Sequence, residues 1–481
     1  MPLSGLNPPV ALGPLDGRYR PTVAGLVDYL SEAALGRARI EVEAEWFIHL
    51  TRVHALPGLP DLADDSVNYL RGLAAGFGQE TIDELAAIER QTVHDVKAVE
   101  YYIRRRLAVP DAPAQLSRPG LVELVHFGAT SEDINNLAYA LTIRAAIQQV
   151  WLPAARAATG ALADLALEHA DVAMLGRTHG QSATPTTLGK ELAVMAHRLG
   201  RQLRRIEATQ YLGKISGATG TYGAHVAAAP QTDWPGVARS FVEALGLTWN
   251  PLTTQIESHD WQAELYSDIA RFNRICHNVA TDMWTYISLG YFTQVRGQGT
   301  VGSSTMPHKV NPIRFENAEG NLELSCAILD SLAATLVTSR LQRDLTDSTA
   351  QRNIGVALGH SLLAIDNVRR GLAGLEVNAG AIARDLDSAW EVLAEPIQST
   401  MRAAAIAGAP GMDDPYDRLK DLTRGRRVDG AILREFIATL GLPDDSAARL
   451  LALTPAAYTG LASFLTRHYT PGPLDYQPRS D

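Results

Sequence analysis

The sequence predicts an all-α protein of three helical domains, the central one a bundle of very long helices. Two observations predict it. Apolar residues recur at intervals of three and four over several long stretches, which is the period of one helix face. Runs that alternate apolar and polar residues, the mark of half-buried strands, are scarce.

The first long pattern opens at Thr130, which with Asp133 has the spacing of a capping box; Ile134, Leu137, Leu141 and Ala145 follow behind it. The second runs from Thr184, where Thr184 and Pro185 offer an N-cap and a first-turn proline. Its stripe is Leu188, Leu192, Met195, Leu199, Leu203 and Ile206. The third covers residues 260–292 with Leu265, Ile269, Phe272, Ile275, Val279 and Met283 on one face, and no proline lies between Pro251 and Pro307. The fourth is read from Ile313 to Leu336. Helices of about 25 to 30 residues are about 40 Å long, and such rods pack as bundles. Stripes on more than one side leave apolar surface for assembly between chains. Minor hairpins are expected near residues 211–232. Prolines at 110, 113 and 119 mark one domain boundary. A second is placed near 372, before shorter helices and the Gly/Pro-rich stretch 408–415. The domains are then 1–119, 120–372 and 373–481.

Across 481 residues, 46% are hydrophobic and 20% charged, which excludes a disordered chain. The N-terminus has no cation before Arg18 and no long apolar segment, so it reads as no signal peptide. An apolar run of membrane-spanning length is absent too. Cys276 and Cys326 lie within apolar-periodic segments and read as buried free thiols. These features fit a cytoplasmic protein. The net charge of −10 argues against a nucleic-acid partner and requires any anionic ligand to be gripped by a local basic cluster. Lysine occurs only at 97, 190, 214, 309 and 420, against 38 arginines. A compact ammonium is therefore kept at few places.

Gly297, Gly299 and Gly302 form a literal GxGxxG. A dinucleotide site needs a strand before it and a helix opening within it. Here a helical pattern precedes and two prolines follow, so the glycines read as hinges of a closing loop. No zinc-ligand spacing is present. His94 beside Asp95, His126 and His179 each stand in or beside a polar turn with small residues. The densest cluster is GSSTMPHKVNP at 302–312. Pro307 and Pro312 exclude an ordinary helix, and small residues there can turn several backbone N–H groups toward one anion, helped by Lys309 and Asn311.

That stretch resembles the signature of the fumarase/aspartase superfamily. Argininosuccinate lyases tend toward MPQKKNP and fumarases toward MPGKVNP, whereas PHK is shared by adenylosuccinate lyases and carboxymuconate cycloisomerases. RTHGQ at 177–181, DGRY at 16–19, TSEDINN at 130–136, TTQIESHD at 253–260 and RDLTDSTAQRN at 343–353 together resemble the adenylosuccinate lyase family in its longer bacterial form. Two departures stand out: Ser182 where a proline is more usual, and Val93 where an asparagine commonly precedes the His-Asp pair.

The resemblance implies cleavage of adenylosuccinate to AMP and fumarate, and of the succinyl-carboxamide ribotide SAICAR to AICAR and fumarate. It implies Ser303 as base and His179 as general acid. Lys309 and Asn311 stabilise the developing charge, and Asn317 joins the substrate-binding set. Arg18, Tyr19, Arg343, Ser348 and Arg352 contact the nucleotide and its phosphate, while His94 with Asp95 supports phosphate or carboxylate. Thr130 and Ser131 present a helix N-terminus to a carboxylate, and Gln255 and Ser304 complete the shell. It further implies a homotetramer with each site shared between subunits, and no metal or organic cofactor. Two other readings are another superfamily lyase or carboxymuconate-type cycloisomerase, and a non-catalytic helical scaffold.

Overall fold

The computed structural model describes residues 11–294, Met306, 310–423 and 428–470. The all-α expectation holds: 66% of the structure is helical and its strands are few and short. The elements that position the site are, in chain order, α1 (Glu32–Arg52), α2 (Gln79–Thr92), α3 (Asp95–Leu107) and α4 (Ser131–Ala146). A π-wound stretch, Ile147–Trp151, carries α4 without a break into α5 (Leu152–Glu168). Then come β1 (Ala173–Thr178), β2 (Gln181–Thr187), α6 (Leu188–Glu207), β3 (Leu212–Gly213) and β4 (Thr248–Trp249). They are followed by α7 (Asp260–Ser288), β5 (Phe292–Gln294), α8 (Ile313–Leu336), α9 (Thr346–Gln351) and α10 (Ile354–Leu372). The last used here are β6 (Leu375–Val377) and α11 (Ala379–Asp387).

The periodic stripes become buried faces. All six predicted α7 residues are buried, as are Leu188, Leu192, Leu199, Leu203 and Ile206 of α6, while Met195 is half-buried. On α8 the buried set is Phe315, Ala318, Leu322, Leu329, Leu332 and Leu336. In α4 Ile134 and Leu137 are buried, but Leu141 and Ala145 only partly so. Both cysteines are buried.

Two expectations are corrected. The second long helix begins at Leu188 rather than at Thr184, because residues 181–187 pair antiparallel with 173–178. Thr187, not Thr184, supplies the start: its Oγ1 accepts from the Lys190 backbone N–H at 3.2 Å. The hairpin therefore lies here and not at 211–232. There β3 pairs in parallel with the distant β4, and residues 223–228 are helical.

The chain forms two compact units. The first comprises residues 1–154, 202–274 and 321–364. In it α1 packs on α4, and Trp46, Trp151, Trp234, Phe241 and Phe272 fill the interior. At the N-terminus of α4 lies an ion pair between Asp133 and Lys214, both wholly buried, at 2.7 Å. The two Asp133 oxygens also accept backbone N–H groups from Thr130, Ser216 and Gly217 at 2.8–3.0 Å. The capping box read from the sequence is present, and Lys214 is an internal tie.

The second unit comprises residues 155–201, 275–320 and 365–481. The end of α5 lies so close to the start of α6 that a Cβ on Gly189 would meet Ala166 O at 2.3 Å and Ala170 Cα at 2.6 Å. Leu175 of β1 joins a core with Leu386, Leu393, Ile397 and Met401.

Removing one member of a buried, fully bonded ion pair leaves the other charge stranded. Asp133→Ala is expected to lower stability by about 3–5 kcal/mol in urea denaturation. A change within about 0.5 kcal/mol, the range of ordinary surface substitutions, would refute the structural role of this pair.

Candidate active site

In the first unit, charged and amide side chains from five segments form one connected chain of contacts. Glu32 opens α1 and pairs with Arg352 at 2.6 Å, and Arg352 reaches Asp95 at 3.5 Å. Asp95 pairs with Arg39 at 2.8 Å, whose Nε donates to Asn135 at 2.8 Å, and Asn135 donates to Glu132 at 2.7 Å. Glu132 lies 2.8 Å from Arg343, which is 3.8 Å from Asp347, and Asp347 is 3.3 Å from His259. Burial alone would raise the Asp95 carboxyl; Arg39, the Val96 backbone N–H and Arg352 outweigh it and hold the pKa below the ordinary value.

His94 sits at this network's edge as the N-cap of α3. Its Nδ1 accepts the Lys97 N–H at 3.2 Å, and its Nε2 lies 3.4 Å from Ser131 Oγ. An Nδ1 that accepts leaves the proton of the neutral ring on Nε2, so the ring donates toward Ser131. Val93, just before it, closes α2 in the left-handed region at φ 52°, with its side chain exposed. A β-branched residue is strained there, whereas asparagine is tolerated, which explains physically why the substitution stands out.

Thr130 and Ser131 present the N-terminus of α4. The turn before them is held by Glu43 of α1, which accepts the His126 backbone N–H at 3.1 Å and faces its Nδ1 at 2.5 Å. Burial pulls the His126 imidazole down, but the bond and charge of Glu43, with Glu100 and Asp133 behind it, outweigh burial and hold its pKa above the ordinary value. Gln255 donates to Ala218 O at 2.9 Å, and Ser348 N–H to Asp347 Oδ1 at 2.6 Å. Arg18 lies 5.9 Å from the Tyr19 ring centroid.

In the second unit, β1 and β2 are joined by the two residues His179 and Gly180, at φ 53° and 74°. Two successive positive φ values are those of a hairpin turn that follows the strand twist, and they set an exposed imidazole at its tip. Beside the hairpin is a cleft of about 470 Å³ lined by Arg177, Thr186, Lys190, Glu191, Tyr286 and Tyr291 among others. Asn317 accepts from Asn367 at 2.9 Å, and Asn311 Oδ1 is buried without a partner among the described residues. Ser303, Ser304, Lys309 and the glycines at 297, 299 and 302 lie outside the described residues.

The structure thus joins His94 to Ser131 and Asp95 to Arg352, and seats Arg343 on Glu132. Sequence reading missed Glu32, Arg39, Glu132, Asn135, Asp347 and His259 as members of the network, and Glu43 as the partner of His126. No spacing singled out Arg39 or Glu43, because they stand in the alternating run RARIEVEAE at 37–45 beside Arg37, Glu41 and Glu45. Among the described residues no group of three or more His, Cys, Asp or Glu is placed to hold a metal, and no helix is long and apolar enough to cross a membrane.

Comparison with known proteins agrees with the motifs. Residues 17–325 match a family described as "Lyase" and residues 339–459 one described as "Adenylosuccinate lyase C-terminal". The chain is 47% identical over 463 residues to the adenylosuccinate lyase of Escherichia coli (strain K12), covering 96% of this chain and 98% of that one. It is 46% identical to that of Legionella pneumophila (strain Corby), covering 98% and 100%. For that of Vibrio cholerae (strain ATCC 39541) the identity is 45%, covering 97% and 99%. Among solved structures, the fold resembles a fumarate lyase from Mesorhizobium sp. BNC1, with TM-score 0.73, 20% identity and coverage of 92% and 97%. It also resembles a 3-carboxy-cis,cis-muconate lactonizing enzyme from Pseudomonas putida, with TM-score 0.70, 22% identity and coverage of 94% and 97%. Both confirm the helical architecture.

Two outcomes follow from these local geometries. Val93→Asn relieves the left-handed strain and is expected to raise stability by about 1 kcal/mol, read as a higher Tm; an unchanged or lower Tm would contradict the strain. Because the folded His126 pKa is raised, the stability it adds is fully present below the unfolded value of about 6.5 and is lost as pH rises through the folded one. The stability gap between the wild type and Glu43→Gln should therefore narrow with rising pH, and a gap flat from acid to alkali would count against the pairing.

Proposed function

The chain belongs to the adenylosuccinate lyase family, and from that premise we propose how its residues divide the work. It is a carbon–nitrogen lyase that eliminates fumarate from adenylosuccinate, leaving AMP; SAICAR, giving AICAR, is the second substrate. The observation that carries the reading is near-full-length identity to curated adenylosuccinate lyases, including a match to that family's own C-terminal segment. This reading is favoured over another lyase of the superfamily, a cycloisomerase or an inert scaffold.

Breaking the C–N bond requires removal of a proton from the succinyl Cβ. The charge left behind spreads into the neighbouring carboxylate, so preorganised donors must receive it, each worth about 3–4 kcal/mol. Lys309, Asn311 and the backbone N–H groups of their loop take this role, with Ser304 beside them. Ser303 is the base, its alkoxide stabilised by the same cationic, donor-rich loop. His179 is the general acid that protonates the departing purine-side nitrogen, a transfer suited to an imidazole near neutral pH.

Arg343, Arg352, Arg18, Tyr19 and Ser348 bind phosphate and nucleotide. An arginine already paired with Glu32 and Asp95 is held with its fork oriented, ready to exchange one carboxylate for phosphate oxygens. Thr130 and Ser131 receive a carboxylate on the α4 N-terminus, where His94, donating from Nε2, orients the serine; Gln255 and Asn317 complete the shell. The protein works in the cytoplasm as a homotetramer whose subunits share each site. Its three domains are 1–119, 120–372 and 373–481, and the residues assigned to the site fall in the first two. Exposed apolar residues on the long helices, Trp284 and Leu324 among them, support assembly.

Purified protein is expected to convert adenylosuccinate, followed by absorbance. Ser303→Ala and His179→Ala should each lower kcat by about a hundredfold or more with assembly unchanged. Normal turnover by either variant removes the corresponding assignment.

A further inference from the structure

One carboxylate in the second unit holds two segments at once. Asp385, on α11, accepts from Arg177 Nη2 at 2.5 Å and from the Tyr291 hydroxyl on the same oxygen, Oδ2. Arg177 lies on β1, two residues before His179. Tyr291 directly precedes β5, and its carbonyl accepts the Asn378 N–H at 2.8 Å, where β6 passes into α11. Tyr291 is buried, and burial above all, together with its bond to Asp385, raises its phenol to about 12. It therefore stays a donor at neutral pH.

The ring of His179 has no hydrogen-bond partner among the described residues, so its direction is that of the turn that carries it. The strand that leads into the turn is held twice by α11: Leu386 shares a core with Leu175 of β1, and Asp385 binds Arg177. Packing fixes where the hairpin lies. A charge-assisted, directional bond to its penultimate strand residue fixes how it is rotated.

We propose that Asp385 is a positioning residue for the elimination, which by binding Arg177 and Tyr291 together sets the direction in which the hairpin presents His179. The proposal rests on His179 being the general acid. It assigns Asp385 a role in the chemical step that does not involve touching substrate.

The test is steady-state kinetics on the full-length assembled enzyme. Asp385→Ala is expected to lower kcat by about 10- to 100-fold, the scale of a misplaced catalytic group, with KM within about threefold because ground-state binding is untouched. Asp385→Glu should recover part of the loss. Asp385→Asn and Tyr291→Phe, milder changes that remain informative if the alanine variant fails to fold, should each lower kcat by about three- to tenfold. In a His179→Ala background, adding Asp385→Ala should lower kcat no further, since the group being positioned is gone. Wild-type kcat in both Asp385→Asn and Tyr291→Phe would overturn the proposal. So would an equal loss from Asp385→Ala with and without His179. Full turnover by His179→Ala alone would instead overturn the acid assignment, and it is read without reference to Asp385.

Discussion

A charge carried into a protein interior must find a counter-charge, and this requirement organises the first unit. Arg39, Glu43, Glu132, Asp133, Lys214 and Asp347 are all buried, and each would be costly alone. Their solution is a shared one. Arg39 is answered by Asp95 from the next helices and by Asn135 from α4, and Glu132 by Arg343 from the segment before α9. No member can be moved without stranding its neighbour. The segments that supply them are thereby held in register.

The same economy explains an acidic chain that handles an acidic substrate. Arg343 and Arg352, two of the arginines proposed for phosphate, are held by Glu32, Asp95, Glu132 and Asp347 at distances from 2.6 to 3.8 Å. Carboxylates near an anion site look counterproductive by charge alone. They fix long side chains whose rotamer entropy would otherwise be lost on binding.

A second constraint is conformational. Of the eight described non-glycine residues with positive φ, four are histidines: His54, His126, His179 and His259. Histidine tolerates the left-handed region better than most residues, and a side chain in such a turn leaves the backbone in one direction only. His126 turns onto Glu43, His259 toward Asp347, and His179 outward at the hairpin tip. Among these, His126 and His259 make internal ties, while His54 and His179 stay exposed.

Periodicity made the long helices legible, because a 3.6-residue repeat reports a local geometry that each stretch obeys by itself. The capping box at Thr130 and the start of α8 at Ile313 were legible for the same reason. So were the motifs that place His94 and His179 in or beside polar turns. The β1–β2 hairpin was not, since strand pairing satisfies backbone groups across space, and Thr184-Pro185 imitates a helix start until its partner strand is known. The charged network and the Asp385 tie were equally hidden. They join residues hundreds of positions apart, such as Glu32 to Arg352 and Arg177 to Asp385, and no spacing rule links them. Sequence alone determined the helices and the chemical groups available. Only the tertiary structure decided which charge answers which, because desolvation and ion pairing depend on proximity in space rather than along the chain.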